Sequence, residues 1–427
     1  MYALKNMFIL NGHADMQPVK GMAILVSGGK FEKIIPEREI PEGVEIRDLQ
    51  GAYILPGLIN LHVHIPGSGK PKKGRTDYNK IAALLKYALV RGVVGKMCES
   101  NAKQELLSGT TTIRAVGGVM EFDTKLRDKI LAGKTLGPRI LAANYAVSVP
   151  GGHMTGSVAL PVNSPEEAVQ MVDTLSKTKP DLIKLMITGG ILDAEESGEP
   201  PMKMPEEYIK AASDRAHQLG FHVAAHAEST QGMKAALENG VDTIEHGGEP
   251  TDEIIGMFKK NKAALVNTLS PTIPFVMMDQ SVTGTSDLDM KNGKLLFESM
   301  KKCAIRCLQE GITVGLGTDT GCPYITHYDM WRELIYYVKF CGVTEQFALH
   351  TATLLNADIA GISDETGSID EGKSADFIVV HKNPLEDLTA LRNPAAVSVF
   401  GNMIYDPKPK KMPKVDKELD HVLNSIV

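Results

Sequence analysis

Leu58-Ile59-Asn60-Leu61-His62-Val63-His64 is the stretch that decides the fold. Apolar residues suited to a buried strand run into two histidines separated by one residue. On an extended strand, residues two apart point the same way, so both imidazoles would face one metal ion. The same texture recurs downstream. Lys184 lies inside Leu182-Ile183-Lys184-Leu185-Met186, His226 ends Val223-Ala224-Ala225-His226, and His246 follows Thr243–Glu245. Asp319 stands in Gly317-Thr318-Asp319-Thr320-Gly321, just beyond Thr313–Leu316. Further strands are expected at Thr111–Arg114, Arg139–Ala142 and Ala264–Thr268.

Helical segments alternate with these strands. Ser164-Pro165-Glu166-Glu167 has an N-cap serine, a proline at the first helical position and a capping-box glutamate. That helix is expected to run to about Thr178, and another to open at Pro205 and stop at Gly220. Eight strands over roughly 260 residues fit a (β/α)8 TIM barrel, for which about 250 residues are typical. In such a barrel the C-terminal strand ends converge on one face, which is where the ionisable residues fall. Outside the barrel the chain reads as β structure. Ala23–Val26, Gly28-Gly29 and Phe31–Ile35 make a hairpin signature, and Ala375–Val380 and Ala396–Tyr405 repeat the texture at the other end. The expected organisation is a small β-sandwich domain built from both termini (1–56 and 366–427) around a barrel at 57–365.

Taken singly, each ionisable residue has a plain explanation. A lone histidine in an apolar strand is more often a hydrogen-bonded core residue, and one Gly-Thr-Asp is a weak signal. Four histidines, a lysine and an aspartate all placed at strand ends are much harder to explain that way. The lysine is the least expected of them. An ammonium among leucine, isoleucine and methionine is poorly solvated, so its pKa should fall. The neutral amine reacts with carbon dioxide to a carbamate, an anion with two oxygens that could bridge two cations. The alternative is a Lys184 simply paired with Asp319 or Glu245.

Together these residues resemble the amidohydrolase superfamily. Pro56-Gly57-Leu58-Ile59-Asn60-Leu61-His62-Val63-His64 is similar to its branch of metal-dependent prolidases and Xaa-dipeptidases. Gly109–Arg114, Ala225-His226-Ala227, Ile244-Glu245-His246-Gly247, Gly317-Thr318-Asp319 and Gly372–Asp376 extend the match along nearly the whole chain. The resemblance implies two divalent metal ions, one held by His62, His64 and Asp319 and the other by His226 and His246. Lys184, as N6-carboxylysine, would bridge them. Zinc suits these ligands, with manganese or cobalt as substitutes. A hydroxide between the metals would attack an amide carbonyl, and Asp319 would carry the proton to the leaving nitrogen. His153, in Pro150-Gly151-Gly152-His153-Met154, matches a substrate-touching position and would hydrogen-bond the carbonyl oxygen; its alternative is a loop histidine in water. The resemblance also implies a homo-oligomer.

Two positions depart from the branch. Glu228 stands where a carboxylate-binding tyrosine or histidine is common, and would contact substrate with a preference for a cation. Ala115 replaces a frequent aspartate. Amide hydrolysis of a dipeptide, N-acyl amino acid or similar small molecule is the leading expectation. A cyclic amide, lactone or ester hydrolase on the same metals stays open, and so does a non-catalytic scaffold.

Composition sets outer limits. The chain has 427 residues, 43% hydrophobic and 23% charged, with a net charge of −6, which argues against nucleic acid as a partner. No apolar run approaches a membrane span, and the N-terminal apolar stretch is too short and interrupted for a signal peptide. Five cysteines in so long a chain suggest no disulfide framework and fit a reducing cytoplasm. Cys303 and Cys307, one helical turn apart, read as a buried helix face before a thiol metal pair, while Cys322 falls close to Asp319. Asp193, Glu195, Glu196 and Glu199, like Lys70, Lys72, Lys73 and Arg75, could line the mouth or be solvated loop faces. Met277 and Met278 could rim the pocket, and Met330–Tyr337 could serve an interface, although packing explains both.

Overall fold

The computed structural model describes residues 1–72, 80, 83–194 and 198–426. The chain opens with strands β1 (Tyr2–Ile9), β2 (Met22–Ser27), β3 (Lys30–Pro36) and β4 (Glu45–Pro56). Gly28 and Gly29, at φ 56° and 80°, form the two-residue turn between β2 and β3, because two successive positive φ angles match the strand twist there. The chain then runs through β5 (Leu58–Val63), β6 (Thr110–Ala115), β7 (Arg139–Ala142), β8 (Ala146–Ser148) and β9 (Ala159–Pro161). It continues through β10 (Leu182–Met186), β11 (His222–Ala227), β12 (Thr243–His246), β13 (Ala264–Asn267) and β14 (Val314–Leu316). Finally β15 (Phe377–Val380), β16 (Ala396–Val399) and β17 (Asn402–Tyr405) return, and β15 pairs antiparallel with β4. Strands from both ends of the chain thus share one mixed seven-stranded sheet, in the order β17-β16-β15-β4-β1-β2-β3. Leu4, Ile24, Phe31, Ile54 and Phe377 are buried together on it.

The central strands pair in parallel and close into the expected (β/α)8 barrel. β5-β6-β7 form one run, and β8 leads through β10 to β14 in another. β7 and β8 are halves of the third barrel strand, broken at Asn144, whose φ is 59°. The Asp181 N–H donates to the Ala142 carbonyl (2.8 Å), which carries the sheet across that break to the chain entering β10. Closure falls between the first and last strands. The Asp319 N–H donates to the His62 carbonyl (2.9 Å) and the His64 N–H to the Thr320 carbonyl (2.8 Å). Gly317 permits this approach, since a Cβ there would lie 2.4 Å from the His62 Cβ.

Alternate strand residues face outward to the helices. Ile183, Leu185, Val223, Ala225 and Leu265 pack with Val172, Ile209, Ala212, Phe258 and Met300 in one buried layer. The helix Pro165–Ser176 begins as expected, with Ser164 Oγ accepting from the Glu167 N–H (3.2 Å). The Glu167 carboxylate, however, turns back to the Asn163 N–H (2.8 Å). Cys303 and Cys307 belong to the apolar layer, as does Met278, with Met277 packed against it. Trp331, Tyr336 and Tyr337 are buried on the helix Met330–Cys341, so that segment is consumed inside the chain. The helix Pro413–Ile426 buries Val415, Leu419, Val422 and Leu423 in the same layer, so it packs on the barrel. Among the described residues, no helix is long and apolar enough to cross a membrane.

Candidate metal centre

Strand parity delivers the candidate ligands to one place. Asn60, His62 and His64 share the inward face of β5 and its extension, while Ile59, Leu61 and Val63 pack outward. Ala224, His226 and Glu228 share a face in the same way. Two ligands need more than parity. Glu245 and His246 are consecutive, and a regular strand would send them to opposite faces. His246 sits at φ 74°, which breaks the alternation and lets both enter the site. Asp319, at φ 58°, is turned in the same manner. Non-glycine residues are uncommon in this region and persist where the surroundings enforce them.

Four imidazoles result, each with one nitrogen pinned by the protein. His62 Nδ1 donates to Glu245 Oε2 (2.7 Å) and His64 Nδ1 to the Gly117 carbonyl (2.9 Å). His246 Nδ1 bonds Thr268 Oγ1 (2.7 Å), and His226 Nε2 donates to the Gly189 carbonyl (3.0 Å). The other nitrogen of each ring is left to the site, the arrangement by which proteins orient metal-ligating histidines. Asp319 Oδ1 lies 3.5 Å from His62 Nε2 and 3.2 Å from His64 Nε2. Ligand-type atoms of His62, His64 and Asp319 all fall within 4.8 Å of one another, and those of His226, Glu228 and His246 do the same. The His62–His246 and His226–His246 ring centroids are 4.6 and 4.7 Å apart, so the two groups adjoin.

Beneath them lies an ionic layer. Glu245, fully buried, accepts from His62, from Arg114 Nη2 (2.7 Å) and from Thr243 Oγ1 (2.7 Å). Arg114 also donates through Nε to the Leu61 carbonyl (2.8 Å). Lys184 is just as buried, yet its Nζ has no hydrogen-bond partner, so a pairing with Glu245 or Asp319 is not what holds it. Burial pushes the Lys184 amine down to about 8, with Arg114 adding to that effect and Glu245, Asp319 and Glu228 opposing it. Burial also lowers His62 to about 4, helped by the Lys184 charge and resisted by Glu245 and Asp319. His226 and His246 are held well below their ordinary value, first by burial and then by neighbouring positive charge. Neutral imidazoles are the form that binds metal. Asp319 is held well below the carboxylate range: burial opposes this, but the His64 hydrogen bond and the surrounding imidazoles outweigh it. Neutral imidazoles, an ionised carboxylate and an unpartnered buried amine fit divalent cations well.

The remaining expected residues sort by place. His153 stacks on His226, with centroids 4.2 Å apart and planes 5° from parallel, and its Nδ1 lies 3.9 Å from Asp193 Oδ2. Glu228 is buried, and its Oε2 has no partner. Cys322 Sγ is 3.5 Å from Asp319 Oδ2, beside the site as its position suggested. Ala115 instead packs outward with Val63, Cys98 and Ile113, away from the face that carries His62 and His64. Among the acidic run, Asp193 is at the mouth and Glu199 binds Thr230 Oγ1 (3.2 Å); Glu195 and Glu196 lie outside the described residues, as do Lys73 and Arg75. Arg114, Thr243 and Thr268 escaped the sequence reading as parts of the site. Arg114 carried a signal, since it shares strand parity with Thr112 and so faces inward.

Residues 53–404 match the Amidohydrolase family, and residues 1–54 match the NagA composite domain. The chain belongs to the amidohydrolase family. It is similar to the ochratoxinase of Aspergillus niger, at 24% identity over 414 residues, covering 90% of this chain and 82% of that one. A candidate prolidase from Bifidobacterium longum shares 37% identity with a TM-score of 0.87, covering 99% of this chain and 98% of the other. An Xaa-Pro dipeptidase crystallised with methionine in its active site shares 28% identity with a TM-score of 0.83, covering 95% and 99%. This amidohydrolase is accordingly a metal-binding hydrolase of carbon–nitrogen bonds, with its resemblance directed to the prolidase-like branch.

Proposed function

We propose that this amidohydrolase cleaves the amide C–N bond of a small molecule, such as a dipeptide or N-acyl amino acid, with two divalent cations. His62, His64 and Asp319 would hold one and His226 and His246 the other, zinc suiting the set and manganese or cobalt able to replace it. Lys184 would lie between them as a carbamate, formed when its neutral amine adds to carbon dioxide and releases one proton. The observation that carries the reading is the buried, unpartnered Lys184 Nζ amid four histidines whose outer nitrogens are already committed. The bound cations supply Lewis acidity toward the carbonyl and a hydroxide nucleophile at neutral pH.

The chain's own residues do the rest. Asp319 takes a proton from the attacking water at Oδ2 and returns it to the leaving nitrogen. His153, stacked against His226, donates to the carbonyl oxygen as negative charge develops on it. Glu245 holds His62 in the Nδ1–H form, keeping a lone pair on Nε2. The test is a panel of dipeptides, N-acyl amino acids, cyclic amides and lactones on zinc-loaded protein, with products identified by mass spectrometry. Release of an amino acid from linear substrates supports the reading. Turnover confined to rings moves the activity to the cyclic amide or lactone class.

A further inference from the structure

We propose that Glu228 is a ligand of the second cation, so that each cation position is built from two histidines and one carboxylate. The inference rests on the two-cation reading above and adds a residue to it. Glu228 lies two residues beyond His226 on the same face of the chain, and its carboxylate reaches the space shared by His226 and His246. Ligand atoms of these three residues fall within 4.8 Å of one another, as do those of His62, His64 and Asp319. The two groups repeat one donor set.

The Ile191 backbone helps to hold the carboxylate, and one of its oxygens is left over. Glu228 is 6% exposed, and its Oε2 has no hydrogen-bond partner. The charges around it are mostly of its own sign, Asp319 and Asp193 among them. Lys184 is the nearby cation, but its Nζ makes no hydrogen bond to Glu228. A buried carboxylate with a free oxygen and acidic neighbours stays ionised only beside a positive charge and otherwise takes up a proton. The backbone also holds it in place: the Glu228 N–H donates to Thr188 Oγ1 (3.1 Å), and Ser229 caps the next helix through the Gly232 N–H (3.2 Å).

Charge balance leads to the same assignment. Asp319, Glu228, a Lys184 carbamate and the hydroxide set four negative charges against the four positive charges of two divalent cations. Without Glu228 the buried centre would carry one uncompensated positive charge. A consequence follows for assembly. With its own carboxylate, the second position holds a cation before Lys184 is carbamylated, so occupancy of that position does not depend on carbon dioxide.

The experiment is a zinc titration of the metal-free full chain against a chromophoric chelator, with and without bicarbonate, in the wild type, Glu228→Gln and Glu228→Ala. Circular dichroism confirms that each variant is folded. The wild type is expected to bind two zinc ions per chain. In both variants the first ion should bind as in the wild type and the second at least about tenfold more weakly. In CO2-free buffer the wild type should still bind two. A second zinc affinity unchanged in Glu228→Gln overturns the proposal, and a rise in KM for cationic substrates at full occupancy would then assign Glu228 to substrate. A wild type that binds no zinc defeats the two-cation reading itself, which is a separate result.

Discussion

Replacing Glu245 by glutamine tests how the site is oriented, because the change preserves shape and removes one charge. The carboxylate accepts three hydrogen bonds, from His62 Nδ1, Arg114 Nη2 and Thr243 Oγ1, each of 2.7 Å. Glutamine has one accepting oxygen. If Arg114 and Thr243 keep it, the amide NH2 faces His62 Nδ1, which can then only accept. The ring proton moves to Nε2, the atom turned toward Asp319, and His62 loses the lone pair that binds metal. Loss of such an orienting partner typically lowers metal affinity about 10- to 100-fold, or about 1.4–2.7 kcal/mol. The same change leaves the buried Arg114 guanidinium without its anion, a loss worth about 3–5 kcal/mol in buried pairs, with the retained amide oxygen favouring the lower end. Two assays separate these effects: denaturant unfolding of the metal-free protein and zinc competition against a chelator. Unchanged unfolding together with zinc affinity within about twofold of wild type would refute the assignment of Glu245 as the orienting partner of His62.

Three further outcomes are expected. Gly190→Ala would place a Cβ 2.7 Å from the His153 Cε1, displacing that ring from His226; kcat should fall about 10²- to 10³-fold, as for a lost oxyanion donor, with the melting temperature nearly unchanged. Steady-state kinetics beside a thermal melt checks this, and normal kcat would remove His153 from the reaction. Lys184 must be neutral to add carbon dioxide, and its amine sits at about 8, so reactivation of metal-free enzyme by zinc and bicarbonate should speed up as pH rises through that value; a pH-independent rate would contradict carbamate formation at this lysine. Chelation should lower the melting temperature, since zinc at about 1,000 times its Kd adds about 4 kcal/mol per site; calorimetry with and without chelator reads this directly.

Much of this protein was legible in the sequence because its two periodicities are clean. Each of the eight barrel strands stands where an apolar run between helical segments put it, and His62, His64, His226 and Lys184 face inward by strand parity alone. The break at Asn144, which splits the third strand, had no signal, since asparagine enters left-handed backbone without a sequence mark. Local spacing also could not show the ionic layer. Arg114 and Glu245 are 131 residues apart and meet only because the barrel closes. Ala115, which departs from the branch in sequence, packs outward, as the inward face of its neighbour Arg114 requires. The sequence suggests a substrate contact for Glu228, but it cannot reveal that a carboxylate oxygen lies within 4.8 Å of ligand atoms of His226 and His246.

The central claim is that Lys184, as a carbamate, lies between two divalent cations. The most direct measurement combines metal analysis with 13C NMR of enzyme reconstituted with zinc and 13C-bicarbonate. The account predicts two zinc ions and one carbamate carbon per chain, with the carbon signal absent in Lys184→Ala and turnover lost with it. A fully active enzyme with no carbamate carbon, or a Lys184→Ala variant with full turnover, would contradict it.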